Sequence, residues 1–373
     1  MKPGRLRIAM MLESSGHGGA EVVVFQLAEE LRRRGHQVIP VGPAARPGWL
    51  ADQFRENGFE WEGFVLNRTL DAGLVGRMAD LFRRRQIDVV HSHEFSMAVY
   101  GAAGARLARV PHIITMHGNQ KMTAALRRRV AVRWAFRISS AAVAVSQDTK
   151  RTLDQDLGLP EDAVTVVPNG VPVRPGDPAG IRAELQLRDD EVLLLAVGNL
   201  ITRKGHIVLL RALAQLEDEG IAVPWRLAIA GGRGGEEQEA LEQFIAERNW
   251  KRRAHLLLHR NDIPDLQAAA DIFVMPSLWE GLPLAILEAM HAGNPVIASA
   301  TSGIPEAITS GVEGLLVPPG EAAPLAQALR VVLENPVERR RLGANALARA
   351  QREFTIGAMT DAYERLYFAG LDE

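Results

Sequence analysis

Short apolar runs alternate with helix-period stretches along almost the whole chain, and this alternation admits few folds. Residues 8–12 read as a strand, 20–34 as a helix closed by Gly35, and 37–41 as a second strand. The pattern continues with helix 74–85, strand 87–90, helix 98–108, strands 112–116 and 141–145, a helix capped by Ser146, and strand 163–167. After the Pro- and Gly-rich segment 168–178 it begins again, with strands at 192–197, 226–230, 255–258, 271–275, 295–298 and 314–317. Strands separated by helices pair in parallel and are covered on both faces. A chain of 373 residues exceeds what one core usually supports. Two doubly wound α/β domains are therefore expected, at residues 1–170 and 178–354, with a closing helix at 356–368. Such sheets take ligands at the carboxyl ends of their strands, and two in series leave a cleft between them.

Several loops at those strand ends carry chemistry-bearing residues. Glu280 lies in the turn after strand 271–275, followed by Gly281, Leu282 and Pro283, which opens an apolar helix as its first residue. Glu288 sits in the second turn of that helix, too deep to cap it, and a carboxylate facing an interior needs a partner. A ligand's hydroxyl pair would supply one. After strand 192–197 come Gly198, Asn199, Arg203, Lys204 and Gly205. Cations at a helix start oppose the helix dipole, so an anion such as a diphosphate makes better sense of them. Gly231, Gly232, Arg233, Gly234 and Gly235 form a Gly-rich loop after the next strand, by itself a weak signal.

In the first half, Gly18 and Gly19 precede Glu21 at a helix start, where a backbone without side chains can approach a phosphate or sugar. The spacing is not the dinucleotide fingerprint and no acidic residue ends the next strand, which disfavours an NAD enzyme. His91, His93 and His117 read as lying at carboxyl ends of strands. Two of them with Glu94 suggest a metal cluster, but the helical spacing of a zinc pair is missing and no metal is expected.

The Glu280-to-Glu288 spacing, together with Ser302 to Glu306 and Glu313 to Pro319, resembles the donor-site signature of retaining glycosyltransferases of family 4. The resemblance covers nearly the whole chain and is most specific over residues 198–319. It implies a GT-B architecture: two Rossmann-like domains facing across a cleft, the first binding acceptor and the second binding donor, with the C-terminal helix (355–373) crossing back to the first. It implies sugar transfer from a nucleotide-diphosphate donor, with a UDP-sugar favoured. Glu288 then matches the carboxylate on the ribose, and Glu280 the group on the donor sugar. Lys204 matches the diphosphate lysine. The family's companion arginine position is here Asn199, so Arg203 must stand in. Backbone N–H groups near Gly281, Leu282 and Pro283 would also face the leaving diphosphate. Gly232 resembles the loop beside the nucleotide, Arg260 lies in the segment that holds the base and ribose, and His117 resembles the histidine beside the donor sugar. No metal or other cofactor is implied.

Cysteine is absent and no apolar run approaches membrane-spanning length, and the N-terminus runs into a strand without a secretory core, so a cytoplasmic protein is expected. Residues 1–180 carry a net charge of +6 and the remainder −8, which hints that the first half meets something anionic, a lipid-linked or phosphorylated acceptor. Few aromatics and no recognisable motif argue against nucleic acid. The Arg-rich stretch from Lys121 to Arg137 suggests peripheral contact with an anionic membrane face, although its apolar residues are spread around the helix. Two rival readings remain: a GT-B enzyme that consumes a nucleotide sugar without an acceptor, as an epimerase or hydrolase would, and a nucleotide-sugar-binding scaffold without activity.

Overall fold

A computed structural model describes residues 4–372 apart from 15, 45–47, 68–70, 119–125 and 233–235. The chain divides into two compact units, residues 1–172 with 356–373, and residues 173–355. The first holds seven strands: β1 (Arg7–Leu12), β2 (Gln37–Pro43), β3 (Glu62–Phe64), β4 (Val89–His93), β5 (His112–Met116), β6 (Ala141–Ala144) and β7 (Thr165–Val166). They lie in the order β3-β2-β1-β4-β5-β6-β7, and every pairing is parallel. The second holds β8 (Val192–Val197), β9 (Trp225–Ala230), β10 (Ala254–Leu258), β11 (Ile272–Met275), β12 (Val296–Ser299) and β13 (Gly314–Val317). Their order is β10-β9-β8-β11-β12-β13, again all parallel. These are two Rossmann-like sheets.

Apolar strands such as Val192–Val197 are buried almost throughout because helices cover both faces. In the first unit one apolar cluster lies against helix Ala72–Arg84, and another against helices Leu126–Ile138 and Gln147–Leu157. Helix Phe95–Ala108 contributes to both. Ser146 caps its helix, its hydroxyl accepting from the Thr149 N–H at 3.1 Å. The last helix, Ile356–Leu371, belongs to the first unit. It buries Tyr363 and Tyr367 and sets Glu364 against His36 at 2.9 Å and against Arg34 at 2.6 Å.

Two local expectations change, and two elements were not foreseen. Pro283 has extended backbone and stands just outside helix Leu284–His291 rather than as its first residue. The strand expected at 87–90 lies at Val89–His93, so His91 is inside the sheet and not in a loop at its end. Asp88 precedes that strand, its carboxylate accepting from the Arg7 N–H at 2.7 Å, and the polar residues that follow are tolerated because each finds a side-chain partner. Helix Gly48–Glu56 and strand Glu62–Phe64 occupy a stretch whose aromatic and charged residues show no clean period.

Candidate active site

In each sheet the strand order reverses once, between β1 and β4 and between β8 and β11. At such a switch point the two loops leave in opposite directions and open a crevice at the carboxyl ends. The second unit places residues 198–205 and 276–283 there. A tight 3-10 turn, Thr202–Lys204, ends at Gly205 with φ +67°, where a Cβ would lie 2.2 Å from the Pro276 carbonyl oxygen, so the two loops can touch only through a glycine. Contact is made again where the Leu278 N–H donates to the Arg203 carbonyl at 2.8 Å.

The loops bring three of the candidate side chains together. Lys204 Nζ lies 2.7 Å from one oxygen of Glu280, and Arg203 Nη1 lies 3.0 Å from the other. Glu280 is 6% exposed, so its charge is withdrawn from water and is held by these two cations. The three groups carry one net positive charge. Arg203 is also stacked 4.6 Å over the Trp279 ring. Behind Glu280, its own N–H donates to Ser302 Oγ at 3.3 Å, and the Thr301 hydroxyl donates to the Leu278 carbonyl at 3.1 Å. Ser302 adopts φ +52°, an uncommon backbone state for a residue other than glycine. Ser302 opens one of the segments that carry the resemblance, but Trp279 and Thr301 were not singled out from the sequence, since nothing in their spacing shows what they hold.

Glu288 projects from helix Leu284–His291, and no hydrogen bond or ion pair to its carboxylate occurs among the described residues. Burial pushes its pKa above the usual carboxylate value, opposed by the charge of Arg174. Asn199 takes a linking position: its Oδ1 accepts from the Gly232 N–H at 3.2 Å, tying the loop after β8 to the loop after β9. Arg233, Gly234 and Gly235 of that loop lie outside the described residues. Arg260 is held by Glu184 at 2.8 and 2.9 Å and by Asp262 at 2.6 and 2.8 Å, so its guanidinium is already engaged by two acids. Gly281 and Leu282 lie between Glu280 and the helix, with the Gly281 carbonyl accepting from the Gly303 N–H at 3.1 Å.

The switch point of the first unit gathers Gly18, Glu21, Glu94 and His117. Gly18 precedes helix Gly19–Arg33, and a Cβ on it would lie 2.6 Å from a Glu21 oxygen, because the Glu21 carboxylate folds back over the loop to accept from Ser14. Glu94, at φ +65°, accepts from the His117 N–H at 3.2 Å. Burial, reinforced by the charge of Glu21, pushes its pKa up to about 7. His93 and His117 stack with centroids 5.1 Å apart, and His93 Nδ1 lies 2.9 Å from His117 Nε2. Burial pulls the His117 pKa down to about 4, so the ring is neutral at pH 7. His91 is two residues deeper, bonded to Tyr367 and Thr115 at 2.8 Å each. Among the described residues no group of three His, Cys, Asp or Glu is disposed to hold a metal ion.

Two Rossmann-like parallel sheets in series, each with a switch point, are the architecture of the GT-B glycosyltransferases. The model of group 1 glycosyl transferases matches residues 179–349, and that of Glycosyltransferase Family 4 matches residues 17–174. A D-inositol 3-phosphate glycosyltransferase of Nocardia farcinica is 31% identical over 369 residues, covering 89% of this chain and 81% of that protein. A galactosyltransferase of Escherichia coli that acts on GlcNAc-diphosphoundecaprenol is 29% identical over 248 residues, 64% of each chain. The crystal structure of Anabaena HepE in complex with UDP superposes with a TM-score of 0.85 at 24% identity, covering 96% of this chain and 99% of that one. This chain belongs to glycosyltransferase family 4, the group 1 glycosyl transferases.

Proposed function

We propose that this protein is a retaining, metal-independent glycosyltransferase that moves a sugar from a UDP-sugar to a hydroxyl of a lipid-linked or phosphorylated acceptor. The bacterial cell surface, in polysaccharide, lipopolysaccharide or glycolipid synthesis, is the setting we assign, with the enzyme at the cytoplasmic membrane face. One observation carries the donor half: Glu280 bracketed by Lys204 and Arg203 at the switch point of the second sheet. Lys204 and Arg203 take up negative charge as the nucleoside diphosphate leaves, aided by N–H groups near Gly281 and Leu282. An ionised carboxylate has about four lone-pair sites, so Glu280 can orient both cations and still accept from donor-sugar hydroxyls. The Glu288 carboxylate, which has no hydrogen-bond partner among the described residues and feels the charge of Arg174, suits the vicinal diol of a ribose. UDP in the HepE complex and the polyprenyl-diphosphate substrate in the name of the E. coli relative support the same classes of donor and acceptor.

Thermal-shift titration with UDP, GDP, ADP and their sugars tests this reading. UDP should stabilise the protein, and Glu288→Ala should abolish the shift; no response to any nucleotide would sink the proposal. Consumption of the donor at an undiminished rate without acceptor would favour the hydrolase or epimerase alternative.

The acceptor half rests on helix Leu126–Ile138; residues 121–125 of the basic stretch lie outside the described residues. At roughly 100° per residue, buried Val132, Ala135 and Phe136 face the core, while Leu126, Val130 and Trp134, 75%, 59% and 41% exposed, form an outward apolar stripe. Arg129, Arg133 and Arg137 run beside that stripe and the helix carries no acid. Cations of this kind contribute about 1 kcal/mol each near an anionic surface, and the apolar stripe adds insertion. Co-sedimentation with phosphatidylglycerol vesicles should be strong at low salt and fall several-fold for Val130→Asp. No recovery with phosphatidylglycerol vesicles would refute membrane contact, and equal recovery with phosphatidylcholine vesicles would remove the part given to the arginines.

A further inference from the structure

His93 has no part in the chemistry assigned so far, yet it is tied to His117 more closely than packing requires. Its strand, β4, pairs with β5 so that His93 stands opposite Thr115, and the chain turns at His117 to bring the second ring over the first. The His93 Nδ1 to His117 Nε2 distance of 2.9 Å is a hydrogen bond, and one ring must donate while the other accepts. Both rings are held neutral by burial, so a single proton occupies that bond. The two outer nitrogens, His93 Nε2 and His117 Nδ1, are buried without a partner among the described residues. They are forced into opposite roles: when one carries a proton, the other presents a lone pair.

The support beneath His93 is equally defined. The His91 ring lies 4.1 Å from it, and both His91 nitrogens are occupied, Nδ1 by the Tyr367 hydroxyl and Nε2 by Thr115 Oγ1, each at 2.8 Å. Thr115 Oγ1 in turn lies 3.0 Å from the Tyr363 hydroxyl. The closing helix, Ile356–Leu371, thus pins His91, His91 stacks under His93, and His93 bonds His117. Ordinary core histidines do not need an unfilled nitrogen at each end of a bonded pair, because an unsatisfied buried group carries a desolvation cost.

We propose that His93 is a positioning residue that fixes the ring orientation and the proton position of His117, so that His117 Nδ1 meets a sugar hydroxyl in one defined hydrogen-bonding role. This rests on the reading of His117 as a group that touches the donor sugar. A hydroxyl can donate or accept, so a fixed imidazole selects which it does and thereby which way the hydroxyl points.

The test combines kinetics with imidazole nitrogen spectra of 15N-histidine-labelled full-length protein, His117 being assigned by its loss in His117→Asn. In the wild type His117 should show one tautomer. His93→Phe, which keeps a ring in the stack, should mix the tautomers and lower kcat about ten-fold, the size expected for one positioning hydrogen bond. UDP binding should be unchanged, and His93→Asn should recover part of the rate. A His93→Phe enzyme with wild-type kcat and an unaltered His117 spectrum would overturn the proposal. If His93→Phe unfolds, an averaged His117 spectrum in the wild type itself would overturn it. Full activity in His117→Ala would instead remove the reading of His117, while the spectra would still decide whether His93 sets its tautomer.

Discussion

Replacing Lys204 with alanine should lower kcat by about 10²–10³-fold, the usual cost of removing a preorganised group that meets developing charge, the part proposed for Lys204. Lys204 Nζ is held at 2.7 Å from Glu280 before any substrate arrives, so little reorganisation is needed when the diphosphate departs. Lys204→Arg should recover little, because a planar guanidinium does not reproduce a point charge in a site already holding Arg203. Glu280→Ala should be at least as damaging, since it leaves two cations facing each other in a partly buried crevice without the carboxylate that spaces them. Breaking such a pair also costs about 3–5 kcal/mol of stability, so rates must be compared well below each variant's melting temperature. The measurement is release of UDP in the presence of acceptor. A kcat within three-fold of wild type in Lys204→Ala would remove the electrostatic account of donor cleavage.

Acid should unfold the first unit well before it affects an ordinary protein of this size. His91 and His93 have pKa values far below the usual histidine value through burial and their histidine neighbours, and burial takes His112 to about 3 and His117 to about 4. Each folded value is depressed, so the stability linked to these rings is complete above about pH 6.5 and is lost as pH falls through the folded values. In that window the unfolded chain binds protons that the folded unit refuses. Four such protons give a slope of up to about 5 kcal/mol per pH unit. His206 adds the same trend in the second unit, its pKa lowered to about 4 mainly by burial. Glu94 has the opposite sign. Its folded pKa, about 7, is raised, so its contribution is present below pH 4.5 and lost as pH rises through 7. One group against four does not reverse the outcome. Circular dichroism should show unfolding between pH 6 and 4, with a midpoint moved to lower pH in His112→Asn. A flat stability profile down to pH 4 would contradict it.

The candidate site was legible in part, and the reason differs by residue. Glu280, Glu288 and Lys204 stood out because charge in a glycine turn or inside an apolar helix conflicts with local preference. Asn199 and Arg260 were chosen by position in the resemblance, yet their side chains are engaged by Gly232 and by Glu184 and Asp262, partners that no spacing discloses. The helix at 126–138 could be read as basic, but its two apolar faces, one inward and one outward, separated only when the core chose Val132, Ala135 and Phe136.

By itself the sequence determined the two parallel sheets, since alternating strand and helix periods with short connections leave few other topologies. It also determined that Lys204 and Glu280 would stand beyond the carboxyl ends of strands, because each lies in a loop that follows an apolar strand. Only the tertiary structure decided which of them meet. Lys204 and Glu280 are separated by 76 residues and His91 and Tyr367 by 276, and each pair is joined by strand order and helix docking. Hydrogen-bond partners follow from distances of a few ångströms between distant segments, and local pattern carries no record of them.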